Sequence, residues 1–275
     1  MIVRKHLERW GASIGLAIIV VAYLFPFLFM VLSAFKPPLA ACASPPVWIF
    51  QPTLTNFKEA FGTYNIQSYL KNSAIVAVIS TAITMIFAIP ASYSLARFKF
   101  RGREILANLL LLLQLIPAVS IVFPYYYLAY KLRLLDTLII LIITYCYWNI
   151  PWAVWMMRGF FETLPFEIEE QALIDGCTQL KAFYRILLPL VTQGLAATSI
   201  FIFIGCWNEF ALAYFLTMIR ARTLPTVISL FQTHAGIKWG PMFATATIAT
   251  LPTIVFALAV RKYFVRALTF GAVKG

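Results

Sequence analysis

The sequence predicts an all-helical integral membrane protein with six transmembrane helices. Three observations predict it. The chain is 62% hydrophobic and only 12% charged, whereas soluble domains carry about 25% charged residues and need them to cover their surface. Six apolar runs, at about 10–35, 72–96, 105–130, 137–157, 189–212 and 239–260, each meet the roughly 20 residues that a helix needs to cross the hydrocarbon. Helices are required because lipid cannot satisfy backbone N–H and C=O groups, and a barrel would read as short alternating segments instead. Finally, the basic residues sort by side. The N-terminus, the loops near 97–104 and 158–185, and the C-terminus hold fourteen of the 22 Lys and Arg; the intervening loops hold eight. That excess predicts both termini on the cytoplasmic face of the membrane.

Taken in order, the first run follows Arg4-Lys5-His6 and resembles a leader, but 10–35 is far longer than the 7–15 residues of a leader's apolar core. Cleavage at the Leu39-Ala40-Ala41-Cys42 box is not expected. The loop 36–70 is stiffened by Pro37, Pro38, Pro45, Pro46 and Pro52, and closes with a short helix that Thr55 or Asn56 is expected to cap. Runs two, three and four are separated by short polar turns, and Pro90, Pro117, Pro124, Pro151 and Pro252 are expected to kink the helices that hold them. A second external loop spans about 220–238, before the last run. The whole chain, 1–275, reads as a single transmembrane domain.

Other function classes find little support. The net charge of +12 follows the side rule and lipid contact, and no basic run is interleaved with exposed aromatics, so nucleic acid is not an expected partner. Cys42, Cys146, Cys177 and Cys206 are scattered, with no histidine at ligand spacing, so neither a disulfide framework nor a metal site is expected. The Gly-x4-Gly-Lys-Ser/Thr loop that cradles nucleotide phosphates is missing from the sequence.

The most informative stretch is a polar block between the fourth and fifth runs, about 158–188. Pro165 suits the first turn of a helix, and Glu167, Glu169 and Glu170 follow where negative charge meets the positive end of the helix dipole. Gly176 is expected to stop this helix in the left-handed conformation, and Thr178 to cap a second one running through Lys181–Arg185 toward Pro189. Acid concentrated in a chain rich in base marks a docking surface, with Ala172 and Gly176 leaving room for another protein. Lipid is the weaker occupant, since an anionic inner leaflet repels an acidic face.

Glu170-Gln171-Ala172, three residues, Gly176, nine residues, Ile186, one residue and Leu188-Pro189 resemble the EAA loop of ABC-importer permeases, with Gln171 the one departure. Tyr93-Ser94-Leu95-Ala96-Arg97-Phe98, Trp207-Asn208-Glu209-Phe210 and the ending Leu268–Gly275 are similar to the carbohydrate-uptake branch, specifically the second permease of maltose-type importers. The resemblance implies a type I importer permease fold with a coupling helix between helices 4 and 5. It implies Glu169, Glu170, Ala172, Asp175, Gly176, Ile186, Leu188 and Pro189 as the ATPase-coupling set, and a further ATPase contact at Ala272, Val273 and Lys274. It also implies a bacterial inner membrane, a second permease subunit, an ATPase dimer that binds ATP and Mg, and an extracytoplasmic substrate-binding protein. This chain would then be no enzyme and would hold no cofactor.

Trp207, Asn208, Glu209, Asn149 and Gln114 are polar or aromatic groups within runs and are candidates for the pore, the substrate or a gate. Counting about 1.5 Å per residue from Pro189 sets Glu209 about 30 Å along, near the outer boundary. The amides suit helix packing as well as a sugar hydroxyl. An ion-coupled secondary transporter would want ionisable groups near mid-membrane, and a glycerol-phosphate ester importer would share the same permease plan. Both remain alternatives to a sugar permease.

Overall fold

The computed structural model describes the backbone of residues 2–271 except 235, and the side chains of 13–259 except 118 and 235. The chain forms two compact units, one of residues 1–67 with 227–251, the other of 68–226 with 252–275. Among the described residues it is almost wholly helical. In order come α1 Ile2–Ala34, α2 Pro38–Ala41, α3 Thr55–Gly62, α4 Ile66–Arg97, α5 Arg103–Leu113, α6 Ala118–Lys131 and α7 Leu138–Glu162. There follow α8 Phe166–Ile174, α9 Gln179–Ala182, a π turn Phe183–Leu187, α10 Leu188–Leu190, α11 Thr192–Asn208, α12 Ala211–Leu216 and α13 Leu224–Val227. A 3₁₀ turn, Ile228–Phe231, leads to the hairpin strands β1 Gln232–Thr233 and β2 Gly236–Ile237, and α14 Trp239–Gly271 closes the chain.

Four described helices are long and apolar enough to cross a membrane by length and composition: Ser13–Ala34, Ile66–Arg97, Leu138–Glu162 and Trp239–Ala259. Gln179–Leu190 and Thr192–Asn208, bent by 75°, make a fifth if they act as one broken span. The expected third span at 105–130 is instead two helices, α5 and α6, each too short to cross alone. Pro117 explains the break. It has no N–H to donate and its ring disfavours helical geometry at Ile116, so Pro117 sits extended (φ −60°, ψ 131°) and starts α6 afresh. Pro90, Pro124, Pro151 and Pro252, by contrast, lie inside continuous helices.

In the first unit, Asn56 is fully buried. Its Nδ2 donates to the carbonyls of Ala34 at 2.9 Å and Lys36 at 2.7 Å, so it satisfies acceptors left over at the end of α1. This corrects the expected cap: neither Thr55 nor Asn56 caps α3, and the Thr53 hydroxyl accepts from the Thr55 N–H at 3.2 Å. Gly240 lies directly on the Asn56 amide, where a Cβ would come 2.2 Å from Oδ1. Lys36 is buried at 2% exposure among Phe29, Trp48 and Phe50, with its ammonium 4.8 Å from the Phe29 ring centre.

In the second unit, α7 packs on both α5 and α11, and α12 packs on α6. Gly194 of α11 lies against the Phe160 ring, 2.4 Å from where a Cβ would stand, which lets α11 and α7 approach closely. Leu141, Met157, Ile202, Leu212 and Leu216 fill the interior.

Candidate functional site

The polar block folds as a helix, a glycine turn and a second helix. Pro165 occupies the N-cap position of α8, one residue ahead of the first turn expected for it, with its backbone extended at ψ 141° and no side-chain cap bond. Gly176 takes φ +84°, the left-handed position that a side chain disfavours. Around it the Cys177 N–H reaches the Ala172 carbonyl at 3.0 Å and the Gly176 N–H reaches that of Leu173 at 3.1 Å, which is the Schellman closure of a helix. Thr178 caps α9 as expected, its hydroxyl accepting from the Lys181 N–H at 3.3 Å. Before Pro189 the helix widens into a π turn at Phe183–Leu187, and the chain bends at Val191 into α11. Pro189 has no N–H to donate and crowds the carbonyl four residues back.

Two of the expected coupling residues turn inward. Glu169 is 7% exposed and Ala172 is buried beside it. Glu169 accepts a hydrogen bond from the Tyr93 hydroxyl at 2.5 Å and lies 3.5 Å from Nε of Arg97, both on α4. Arg97 also donates from Nη2 to the Leu164 carbonyl at 2.9 Å and lies over the Phe166 ring at 4.4 Å. The Tyr93 ring joins Phe98, Phe161 and Phe183 in an aromatic floor beneath α8 and α9. Glu169 therefore fastens α8 to α4, with Ala172 buried on the same side. Period 3.6 sets one side of a short helix against the protein, and that side carries these two residues.

The outward face differs from the expected acidic one. Glu167, Glu170, Gln171, Asp175 and Gly176 are exposed, but so are Leu173, Ile174, Leu180 and Tyr184, with Ile174 84% exposed. The result is an apolar knob edged by carboxylates. Ile186 and Leu188 are half-buried and Pro189 is exposed.

Next to this unit α5 and α7 are joined by an ion network. Arg158 contacts Glu104 at 2.8 Å and Glu162 at 2.6 Å, and Arg103 contacts Glu104 at 3.1 Å and Glu162 at 3.6 Å. The Arg158 hydrogen bond holds the Glu104 carboxyl below the usual carboxylate range.

The pore candidates are drawn together in part. Tyr145 on α7 is buried, and its hydroxyl donates to Glu209 at 2.9 Å. Glu209 breaks the chain between α11 and α12, and its carboxylate also accepts the N–H groups of Leu212 at 2.8 Å and Ala213 at 3.1 Å. This is the capping that a helix N-terminus requires. Asn149 donates to the Tyr145 carbonyl at 2.8 Å and to Cys206 Sγ at 3.5 Å. Trp207 is buried and stacks on Phe203, and Asn208 donates to the Ile204 carbonyl at 3.0 Å. Gln114, just past the end of α5, donates to the carbonyl of Trp148, the residue before Asn149, at 2.8 Å. Ala272, Val273 and Lys274 lie outside the described residues.

Sequence reasoning missed a second fastening at the opposite end of α4. Asp136, itself at φ +58°, accepts from the N–H groups of Met218, Ile219, Arg220 and Ala221 at 2.9 to 3.2 Å. Burial pushes its carboxyl up, but those four donors outweigh it and hold the group below its ordinary value. Asn72 donates to the carbonyls of Arg220 and Arg222 at 2.9 Å each, and the Leu224 N–H donates to the Ser73 hydroxyl at 2.8 Å. A lone acid between two apolar runs was the available signal, but its partners lie more than eighty residues away.

Residues 88–270 match the family described as "Binding-protein-dependent transport system inner membrane component". The chain is 39% identical over 252 residues to the probable ABC transporter permease protein y4oR of Sinorhizobium fredii, covering 92% of this chain and 91% of that one. It is 35% identical to the trehalose/maltose transport system permease protein MalG of Thermococcus litoralis, over 98% of both chains. It is 32% identical to the diacetylchitobiose uptake system permease protein DasC of Streptomyces coelicolor, over 99% of both. A chain of a bacterial ABC transporter that imports the acidic polysaccharide alginate shares the fold, with a TM-score of 0.79 at 18% identity over 94% of this chain and 97% of that one.

Proposed function

This chain belongs to the binding-protein-dependent transport system inner membrane components, and we propose that it is the permease subunit of an ATP-driven carbohydrate importer, forming half of the pore. The observation that carries the reading is the α8–Gly176–α9 unit. It offers an apolar knob with an acidic edge to a partner while Glu169 and Ala172 anchor it from within. The named relatives supply the solute class, since MalG and DasC are described by the disaccharides they transport.

In this reading the chain acts as one permease domain with both termini and the α8–α9 unit in the cytoplasm. A second permease subunit completes the pore. An ATPase dimer holds ATP and Mg, and a substrate-binding protein delivers sugar from outside. Glu170, Asp175 and Gly176 face the ATPase together with Ile174 and Leu180, while Ile186, Leu188 and Pro189 lead the motion into α11. The C-terminal Ala272, Val273 and Lys274 form a second ATPase contact. When ATP closes the ATPase dimer, α8 and α9 travel with it and the helices rock between inward-facing and outward-facing states. Glu209, Asn149, Asn208, Trp207 and Gln114 shape the interior by holding helices together.

The test is reconstitution. The chain is expressed with its neighbouring permease and ATPase genes, isolated through a tag on this chain, and placed in liposomes with the cognate binding protein. Co-isolation of the ATPase and ATP-dependent uptake of a disaccharide from a radiolabelled panel are the expected results. Isolation without any ATPase would refute the assignment.

A further inference from the structure

Helix α4 is fastened at both ends to segments far apart in the sequence. At its last turns, Tyr93 and Arg97 hold α8 through Glu169, the Leu164 carbonyl and the Phe166 ring. At its first turns, Asn72 holds the carbonyls of Arg220 and Arg222, and Ser73 receives the Leu224 N–H. Asp136 gathers four N–H groups of the same outer segment. At about 1.5 Å per residue the two fastenings stand about 37 Å apart along one helix. That helix is continuous, Pro90 removing a single backbone donor.

We propose that α4 is the rod that carries movement of the α8–α9 unit across the membrane to the outer segment 217–224, with Arg97 and Asn72 as the positioning residues at its two ends. This rests on the reading of α8–α9 as the ATPase-coupling unit. A packed helix with fixed ends moves as a body, so displacement at one end appears at the other. The inner joint is suited to load but not saturated with hydrogen bonds. Nε and Nη1 of Arg97 and Oε2 of Glu169 have no hydrogen-bond partner, although the ion pair is buried.

The outer segment also has a reporter position, because Ile219 is 78% exposed. The assay uses the assembled complex in sealed vesicles, with Cys42→Ser to remove the exposed native thiol and Ile219→Cys as reporter. The probe is a membrane-impermeant maleimide added outside, with and without trapped Mg·ATP and vanadate inside. Nucleotide is expected to change the labelling rate by about 5-fold or more, the low end of a coupling between two sites. Arg97→Lys, which cannot span the carbonyl, the ring and the carboxylate together, and Asn72→Ala are each expected to abolish that change, with the complex still assembled and hydrolysing ATP at the assay temperature. The double variant is expected to match the singles rather than add to them, although residues this far apart are ordinarily independent. Should Asn72→Ala fail to assemble, Ser73→Ala gives the same comparison by removing one hydroxyl. A nucleotide response that survives in the variants, or none in the unmutated complex while it hydrolyses ATP, overturns the inference alone. A chain that isolates without an ATPase overturns the functional reading and this inference with it.

Discussion

Removing the Asp136 carboxylate isolates one local contribution to the second unit. Four backbone N–H groups, of Met218, Ile219, Arg220 and Ala221, converge on it at 2.9 to 3.2 Å. A hydrogen bond to a charged group contributes about 1.5–3 kcal/mol. The group is half-buried, so water replaces part of what is lost, and one such bond rather than four is the fair scale. Asp136→Ala is therefore expected to cost about 2 kcal/mol, and Asp136→Asn, which keeps one acceptor, about half of that. For a unit of this size that corresponds to a fall in melting temperature of about 4–8 °C for alanine. Scanning fluorimetry of the detergent-solubilised complex reads it. The acid arm follows from the depressed carboxyl. Its contribution is complete above the ordinary aspartate value of about 4 and is lost as pH falls through the lower folded value. Melting temperature should thus be insensitive to this group from pH 7 to 5 and fall more steeply below about pH 4 than in Asp136→Asn. A melting temperature unchanged in Asp136→Ala would refute the reasoning, since it would mean that the four donors are equally well served by water.

Four further outcomes are expected. Gly176→Asp places a charged side chain at φ +84°, costing about 1 kcal/mol locally, and should uncouple ATP hydrolysis from uptake without loss of expression; Gly176→Asn, which adopts that conformation as readily but brings no charge, should be milder. Glu170→Lys reverses an exposed charge on the docking edge and should weaken ATPase co-isolation by about tenfold, measured by pull-down at low salt. Gly240→Ala drives a Cβ to 2.2 Å from Asn56 Oδ1 and should lower stability by about 1–3 kcal/mol, which a thermal melt tests; no shift would show that the contact relaxes freely. Glu209→Gln keeps an acceptor for the Leu212 and Ala213 N–H groups and should leave sugar uptake within about twofold, as a capping role requires; abolished uptake would return Glu209 to the substrate path.

The α8–Gly176–α9 unit was legible almost residue by residue, because each of its signals is local. A helix stop at Gly176 and a cap at Thr178 act on backbone atoms within a few residues, so the chain's own order reveals them. The third span was not legible as a run of hydropathy. Transfer energy is indifferent to backbone conformation, whereas helix continuity depends on it, and the extended Pro117 (ψ 131°) stands between α5 and α6. The inward turn of Glu169 was not legible for a different reason. Adjacent acids look alike in sequence, and which one faces inward depends on where Arg97 and Tyr93 of α4 stand.

The sequence by itself determined the solvent of this protein, the helical class, the family and the polar unit between its fourth and fifth runs. The solvent, the helical class and the polar unit follow from composition and from interactions within about four residues, which hold in any arrangement of the helices; the family follows from the resemblance of 170–189 to a known motif. Only the tertiary structure decided that Glu169 is a fastening and Glu170 an outward charge, that Asn56 closes α1 rather than starting α3, and that Asp136 and Asn72 grip the segment near 220. Those are contacts between residues 20 to 150 positions apart. They exist because folding brings a buried polar group to a backbone donor or acceptor that would otherwise stay unpaired.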